Sequence, residues 1–179
     1  MKRTSFLLAL LLLGTTVSLN AQVLKPVDAE SKVAFVARNM GMDVNGAFSG
    51  LKGTITINKA APDKSSFDVT VDVATIKTGI DKRDAHLKTA DFFDAAKYPQ
   101  IRIQSKRILP KSGDIYYAEA TLTLHGISKE IKFDFIAKPV SGGYKLTAGF
   151  PLIRQDYSIG GSSMTLSDKV NIVLAVVAK

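Results

Sequence analysis

The feature that most restricts what this chain can fold into is an alternation of apolar and polar residues with a period of two. In "SFDVTVDVAT" (66–75), Phe67, Val69, Val71 and Val73 fall on one side and Asp68, Thr70 and Asp72 on the other. "EIKFDFIAK" (130–138) repeats the pattern, with Ile131, Phe133, Phe135 and Ala137 opposite Lys132 and Asp134. Successive side chains of a strand point to opposite faces, so each segment reads as a strand with one buried and one wet face. Less regular versions run through 31–38, 44–57, 101–108, 115–124, 144–153 and 169–177, making eight strands in all. Gly50 and Gly53 interrupt the second and predict a bend or bulge there. Turn-forming "KAAPDKS", "PKSGD", "HGIS" and "SGG" separate the strands. Short connections favour antiparallel neighbours over crossovers. Eight one-faced strands make either a closed barrel or a two-sheet sandwich, and periodicity does not choose between them; closure is what removes exposed edges.

One stretch departs from the pattern. "TGIDKRDAHLKTADFFDAAKYP" (78–99) crowds Asp81, Lys82, Arg83, Asp84 and His86 together and then places Phe92, Phe93 and Tyr98. It predicts a short helix from Asp81 through Lys88, with Asp81 as cap and Asp84 in the first turn. A second turn begins at Thr89, and Pro99 ends anything helical by Tyr98.

The first 21 residues carry a different signal. Lys2 and Arg3 precede the apolar run "FLLALLLLG" and then polar "TTVSLNAQ", the layout of a secretory signal peptide cut after Ala21, with Ser18 as the fallback. About 158 residues remain, 22–179, one domain by length. No Cys is present to take a lipid anchor, form a disulfide or act as a thiolate, so the core alone must hold an exported, periplasmic or secreted protein. Past residue 21, 22 basic residues face 16 acidic ones. The surplus is scattered as single lysines, which serves solubility and gives weak attraction to anionic membrane surfaces. Without a basic stripe, nucleic acid is a poor fit.

The residues resemble a known family. "DAESKVAF" (28–35), "VNGAFSGLKGTI" (44–55), "LTLHGISKEI" (122–131) and "RQDYSI" (154–159) match its segments. The most specific match is the central T-G-x-x-x-R-D-x-H-L…D-F-F-D…K-Y-P block. Together they resemble the YceI-like family of exported polyisoprenoid-binding proteins from about Val27 to Val177. The resemblance implies an all-β fold, an eight-stranded antiparallel lipocalin-like barrel with a short helical insert between its third and fourth strands. It also implies an apolar tunnel holding an isoprenoid-tailed amphiphile, a polyprenyl phosphate or isoprenoid quinone, as ligand rather than cofactor. Two departures fall near one mouth: "VLKPVD" replaces an aromatic before the first strand, and a family His is replaced around Arg38–Asn39.

A tunnel for a prenyl chain needs a continuous apolar wall. Inward positions supply candidates in Phe35, Phe67, Val69, Val71, Ile101, Ile103, Leu122 and Leu124. Phe133, Phe135, Leu146, Phe150, Ile172 and Leu174 complete the set. At roughly 0.8 kcal/mol per buried methylene, one isoprene unit offers about 3–4 kcal/mol gross. Two or three units then suffice for about micromolar binding. The same residues read equally as ordinary core, the commoner fate of inward apolar side chains.

Polar candidates also have two readings. Arg83 and His86 suit a phosphate or quinone head group, or an acid–base pair of an isomerase or hydrolase; alternatively Asp81 and Asp84 cap the helix and pair with Arg83 while His86 bonds a loop carbonyl. Arg154 is a third head-group candidate, or else bridges to Asp156 above Tyr157 beside a mobile Gly160–Gly161 turn. His125 reads as a turn residue before a positive-φ Gly126. Two histidines without Cys argue against structural zinc, and no carboxylates show calcium-loop spacing. No G-x-S-x-G elbow or phosphate-cradling glycine loop is present. The expectation is a binding protein rather than an enzyme, with no cofactor or metal, as a monomer or homodimer. An outer-membrane barrel is disfavoured, since paired aromatic girdles are missing.

Overall fold

The computed structural model describes residues 21–179. Apart from Ala21, the segment read as a signal peptide lies outside the described residues. Nine strands follow: β1 (Gln22–Leu24), β2 (Lys32–Asn39), β3 (Met42–Ile57), β4 (Ser66–Lys77), β5 (Gln100–Ser112), β6 (Ile115–Leu124), β7 (Ile127–Val140), β8 (Gly143–Ile153) and β9 (Leu166–Ala178). Among the described residues the one α-helix, α1 (Asp81–Leu87), stands between β4 and β5.

All pairings are antiparallel, in the order β1-β3-β2-β9-β8-β7-β6-β5-β4, and a further β3–β4 ladder closes the sheet. The eight strands from β2 to β9 therefore form a barrel, not a sandwich. Closure depends on the length of β3, whose sixteen residues pair with β2 through 42–48 and with β4 mainly through 49–56. The β3–β4 register shifts on both sides of Ser49, at the bend that the two glycines mark. At Gly53 (φ 129°) a Cβ would run into the β4 backbone at Asp68, so only glycine lets the two strands approach there.

The ninth strand was not expected. β1 lies along Ile55–Ile57, and Lys25 and Val27 donate to the Lys179 and Val177 carbonyls at 2.8 Å each. Residues 22–27 thus continue the line of β2 between β3 and β9, interrupted by a 3₁₀ turn at Asp28–Glu30. Asp28 secures that turn by accepting from the Gly50 and Leu51 amides at 3.1 and 2.8 Å.

The two ends of the barrel are built differently. At the end bearing both termini of the described chain, Leu24, Ile55, Ile57, Ile108, Ala118 and Ala178 pack to 5% exposure or less. Phe67, Phe133, Phe135 and Tyr116 join them as an aromatic plug with ring centroids 5.4–6.5 Å apart. The outer wall of β4–β7 carries ion pairs, among them Asp68–Arg102, Lys106–Glu130 and Glu119–Lys132. An apolar inside and a charged outside is the reverse of what a bilayer-spanning barrel requires. No helix among the described residues is long and apolar enough to cross a membrane.

Candidate functional site

Above the aromatic plug the barrel is hollow. A cavity of about 200 Å³ runs between the plug and the opposite end. Phe150 forms part of its floor, stacked on Phe133 with centroids 4.6 Å apart. The walls come from alternate residues of the strands, for example Val33, Phe35 and Ala37 of β2, Val69 and Val71 of β4, and Val170, Ile172, Leu174 and Val176 of β9. Thr70, Arg154 and Tyr157 are the polar residues among those lining it.

Of the fourteen wall candidates, Phe35, Val69, Val71, Ile101, Ile103, Leu122, Leu124, Phe150, Ile172 and Leu174 line this cavity. Phe67, Phe133, Phe135 and Leu146 do not, because they pack in the plug end. Period two tells which face a residue takes but not how far along the barrel axis it sits. The lining also includes Phe48, Leu51, Leu87, Leu152, Ile159 and Leu166, none of them among the candidates. Val170 and Val176 share the parity of Ile172 and Leu174 and were legible by that signal. Leu51 follows the bend at Gly50, where parity is lost.

The insert 78–99 caps the cavity end. Leu87, Phe92 and Phe93 project into the lining, and Phe93 meets Phe48 edge-on at 5.6 Å. Gly160, at φ 71°, donates its N–H to the Asp91 carbonyl at 3.0 Å, and the Phe92 ring occupies the space a Cβ there would need. Tyr98 packs edge-on against His125 at 4.8 Å, and His125 Nδ1 lies 3.0 Å from the Tyr157 carbonyl oxygen. Insert, β6–β7 turn and β8–β9 loop are thereby tied together over the cavity. Burial, followed by the charge of neighbouring Asp156, pushes the Tyr157 phenol up to about 12.

The polar cluster of the insert is arranged otherwise than expected. Asp81 caps nothing: Ile80 is the N-cap, without a side-chain bond, and Asp81 is exposed at 3.5 Å from Lys77 Nζ. The inward carboxylate is Asp84, which accepts from the Thr78 hydroxyl at 2.6 Å and the Thr78 amide at 2.7 Å. The Thr78 hydroxyl bond, supported by the Thr78 amide and by the Lys77 ammonium 3.6 Å away, holds the Asp84 carboxyl below the usual carboxylate range. Arg83 does not pair with either aspartate; its Nε and Nη2 donate to the Thr78 hydroxyl and carbonyl at 2.7 and 2.8 Å. His86 points to solvent, edge-on to Phe92 at 5.0 Å and 3.5 Å from Asp91, with no bond to a loop carbonyl. Neither Arg83 nor His86 lines the cavity.

Arg154 does line it, 5% exposed, but not with Asp156 as partner. Asp156 pairs with Lys129 at 2.9 Å. The Arg154 guanidinium instead donates through Nε to the Ser167 carbonyl, through Nη1 to those of Ile159 and Gly161, and through Nη2 to that of Leu166. Asp168 lies 2.8 Å from Nη2. A guanidinium has five N–H donors; four are bonded to these carbonyls, and the Asp168 carboxylate lies as an ion-pair partner beside the nitrogen that carries the fifth. Four of the five donors are thus committed to the fold while this arrangement holds. Among the described residues no group of His, Asp and Glu is placed to hold a metal ion.

A closed antiparallel barrel with a filled floor and a capped apolar cavity defines a small lipocalin-like barrel. Comparison with known proteins agrees. The family model for the YceI-like domain matches residues 24–178, and the chain belongs to the YceI-like family. A UPF0312 protein of Pseudomonas savastanoi is 31% identical over 173 residues, covering 88% of this chain and 89% of that one. Protein YceI of Escherichia coli O6:H1 is 29% identical, covering 84% and 83%. The crystal structure of Burkholderia cenocepacia BcnA superposes with a TM-score of 0.82 at 25% identity, over 86% of this chain and 99% of that one. A polyisoprenoid binding domain from Saccharophagus degradans shares the fold, with a TM-score of 0.68 at 19% identity over 89% and 99%.

Proposed function

We propose that this protein is an exported carrier that holds the tail of an isoprenoid amphiphile in the barrel, for transport, storage or sequestration. The observation that carries this reading is the cavity: a space of about 200 Å³ walled by aliphatic and aromatic side chains. Membership of the YceI-like family supports it, as does the signal-peptide pattern ahead of a Cys-free domain. A cavity of about 150 Å³ accepts benzene, which is close in size to one isoprene unit. The space therefore takes roughly one or two units, worth about 3–8 kcal/mol gross. The rest of a longer tail, and the head group, extend past the cap. Arg83 keeps Nη1 uncommitted among the described residues, and His86 is exposed beside it; these are the head-group candidates, with Arg154 supporting the cavity rim. Catalysis is not favoured, because neither Arg83 nor His86 faces the cavity in which a substrate tail would lie.

Native mass spectrometry of protein released from cells by osmotic shock, without detergent, tests the carrier reading. The expected result is one isoprenoid lipid per chain. Protein that emerges empty, and that does not take up geraniol or farnesol added at micromolar to millimolar concentration, refutes it. Replacing His86 by Ala should leave the binding of a prenyl alcohol, which the cavity carries through the tail, intact; turnover of a bound lipid that disappears with His86 would instead establish the enzymatic reading.

A further inference from the structure

We propose that the capped end of the barrel docks on an anionic lipid bilayer through Met40, Met42 and Met164. Past Met1 these are the only methionines of the chain, and they are 72%, 68% and 105% exposed. Met40 and Gly41 form the two-residue turn between β2 and β3, where Asn39 pairs with Met42. Met40 adopts φ 50°, a conformation that costs a non-glycine residue energy and that Asn or Asp tolerates better. A long thioether placed there faces water and does nothing for the turn. The Met40 amide donates to the Thr165 carbonyl at 2.9 Å, so the tip carrying Met164 lies beside the hairpin. Both tips adjoin the cavity rim: Ala37 and Leu166, each only a few residues away, are in its lining. Ile80, 53% exposed, adds a fourth apolar side chain at the same end, at the start of the insert.

The chemistry of this rim suits a bilayer better than a folded partner. Its apolar groups are mostly unbranched, flexible side chains on separate loop tips, which adapt to an irregular fluid surface. Protein-binding patches instead concentrate aromatic residues on a continuous face. Charge complements an anionic surface. Around the rim Arg38, Lys82, Arg83, Lys88, Lys97 and Lys169 form no ion pair among the described residues; Asp43 and Asp94 have no cation partner, Asp91 has only His86, and Asp81 and Asp84 share Lys77, which leaves a small basic excess. Basic groups next to inserted apolar ones raise affinity for acidic phospholipids. Docking gives the carrier reading a route of exchange and rests on that reading for its purpose: an isoprenoid tail would pass between bilayer and cavity beneath the cap without crossing water.

Flotation with vesicles tests this. The wild-type chain, cleared of its leader, should float with vesicles rich in phosphatidylglycerol, less so as salt is raised, and less with phosphatidylcholine, where salt should matter little. Combining Met40→Ser, Met42→Ser and Met164→Ser should weaken that binding about tenfold or more, while thermal unfolding and farnesol binding in solution stay as in wild type. Wild-type protein that does not float, equal binding to both vesicle types, or a triple variant that floats like wild type each overturn the proposal. Vesicle binding that persists when farnesol binding is absent would refute the carrier reading alone.

Discussion

Replacing Arg154 separates two roles that its sequence context leaves open, and the structure sets the size of the effect. Four backbone carbonyls and Asp168 hold the guanidinium, which joins the 3₁₀ turn at Arg154–Tyr157 to the first residues of β9. Hydrogen bonds to a charged group are worth about 1.5–3 kcal/mol each when buried. Asp168, 55% exposed, is resolvated when its partner is lost and adds little. Arg154→Met, which leaves the carbonyls unpaired, should cost about 3–5 kcal/mol. Arg154→Lys keeps the charge but presents three donors from one nitrogen, too few for two separate loops, and should cost about 2–4 kcal/mol. For a chain of this size that corresponds to a fall in melting temperature of roughly 10 °C. Thermal unfolding is best followed by near-ultraviolet circular dichroism of the five tyrosines, since there is no Trp. Refutation takes a definite form. If Arg154→Lys melts like wild type yet binds a prenyl phosphate far more weakly than the free prenyl alcohol, the guanidinium serves a head group and not the fold.

Two further predictions concern the division of the interior and the insert. Val69→Phe places a ring in the hollow end and should fold at near wild-type stability while losing prenyl-alcohol affinity about tenfold; Ala118→Leu forces extra volume into the closed end and should cost about 1–3 kcal/mol in urea unfolding with affinity retained. Equal stability of the two variants would contradict the distinction between plug and cavity. Asp84 has a folded pKa below its unfolded value, so its contribution to stability is fully present above the unfolded value, about pH 4, and disappears as pH falls below that through the folded value. Asp84→Asn should therefore be less stable than wild type at pH 7, and the gap should narrow in denaturant unfolding repeated at successively lower pH below about 4. A gap independent of pH would show that the carboxylate charge does not matter there.

Strand positions and the identity of the inward face were legible because a residue's parity in a strand is a local property, carried by Phe67, Val69 and Val71 against Asp68, Thr70 and Asp72. The insert at 78–99 was legible as a helical interruption for the same reason, since Pro99 and the loss of alternation are local signals. The partners of Arg83, Arg154 and Asp156 were not. Arg154 lies two residues from Asp156 in sequence but binds carbonyls of residues 159–167, while Asp156 reaches across to Lys129. Short sequence separation suggests an ion pair, and the 3₁₀ turn that begins at Arg154 overrides it by sending the two side chains to different sides.

Eight one-faced strands, their antiparallel succession, the place of the cap and the family's central block were all present in the order of the residues. Periodicity did not choose between barrel and sandwich, because closure rests on a ladder between β3 and β4 that bends at Gly50 and Gly53. Nor did it divide the inward residues into a packed floor and a hollow chamber. Alternation sets the direction of a side chain across the sheet, but whether it meets another side chain or empty space depends on what the strands opposite bring to the same level of the barrel.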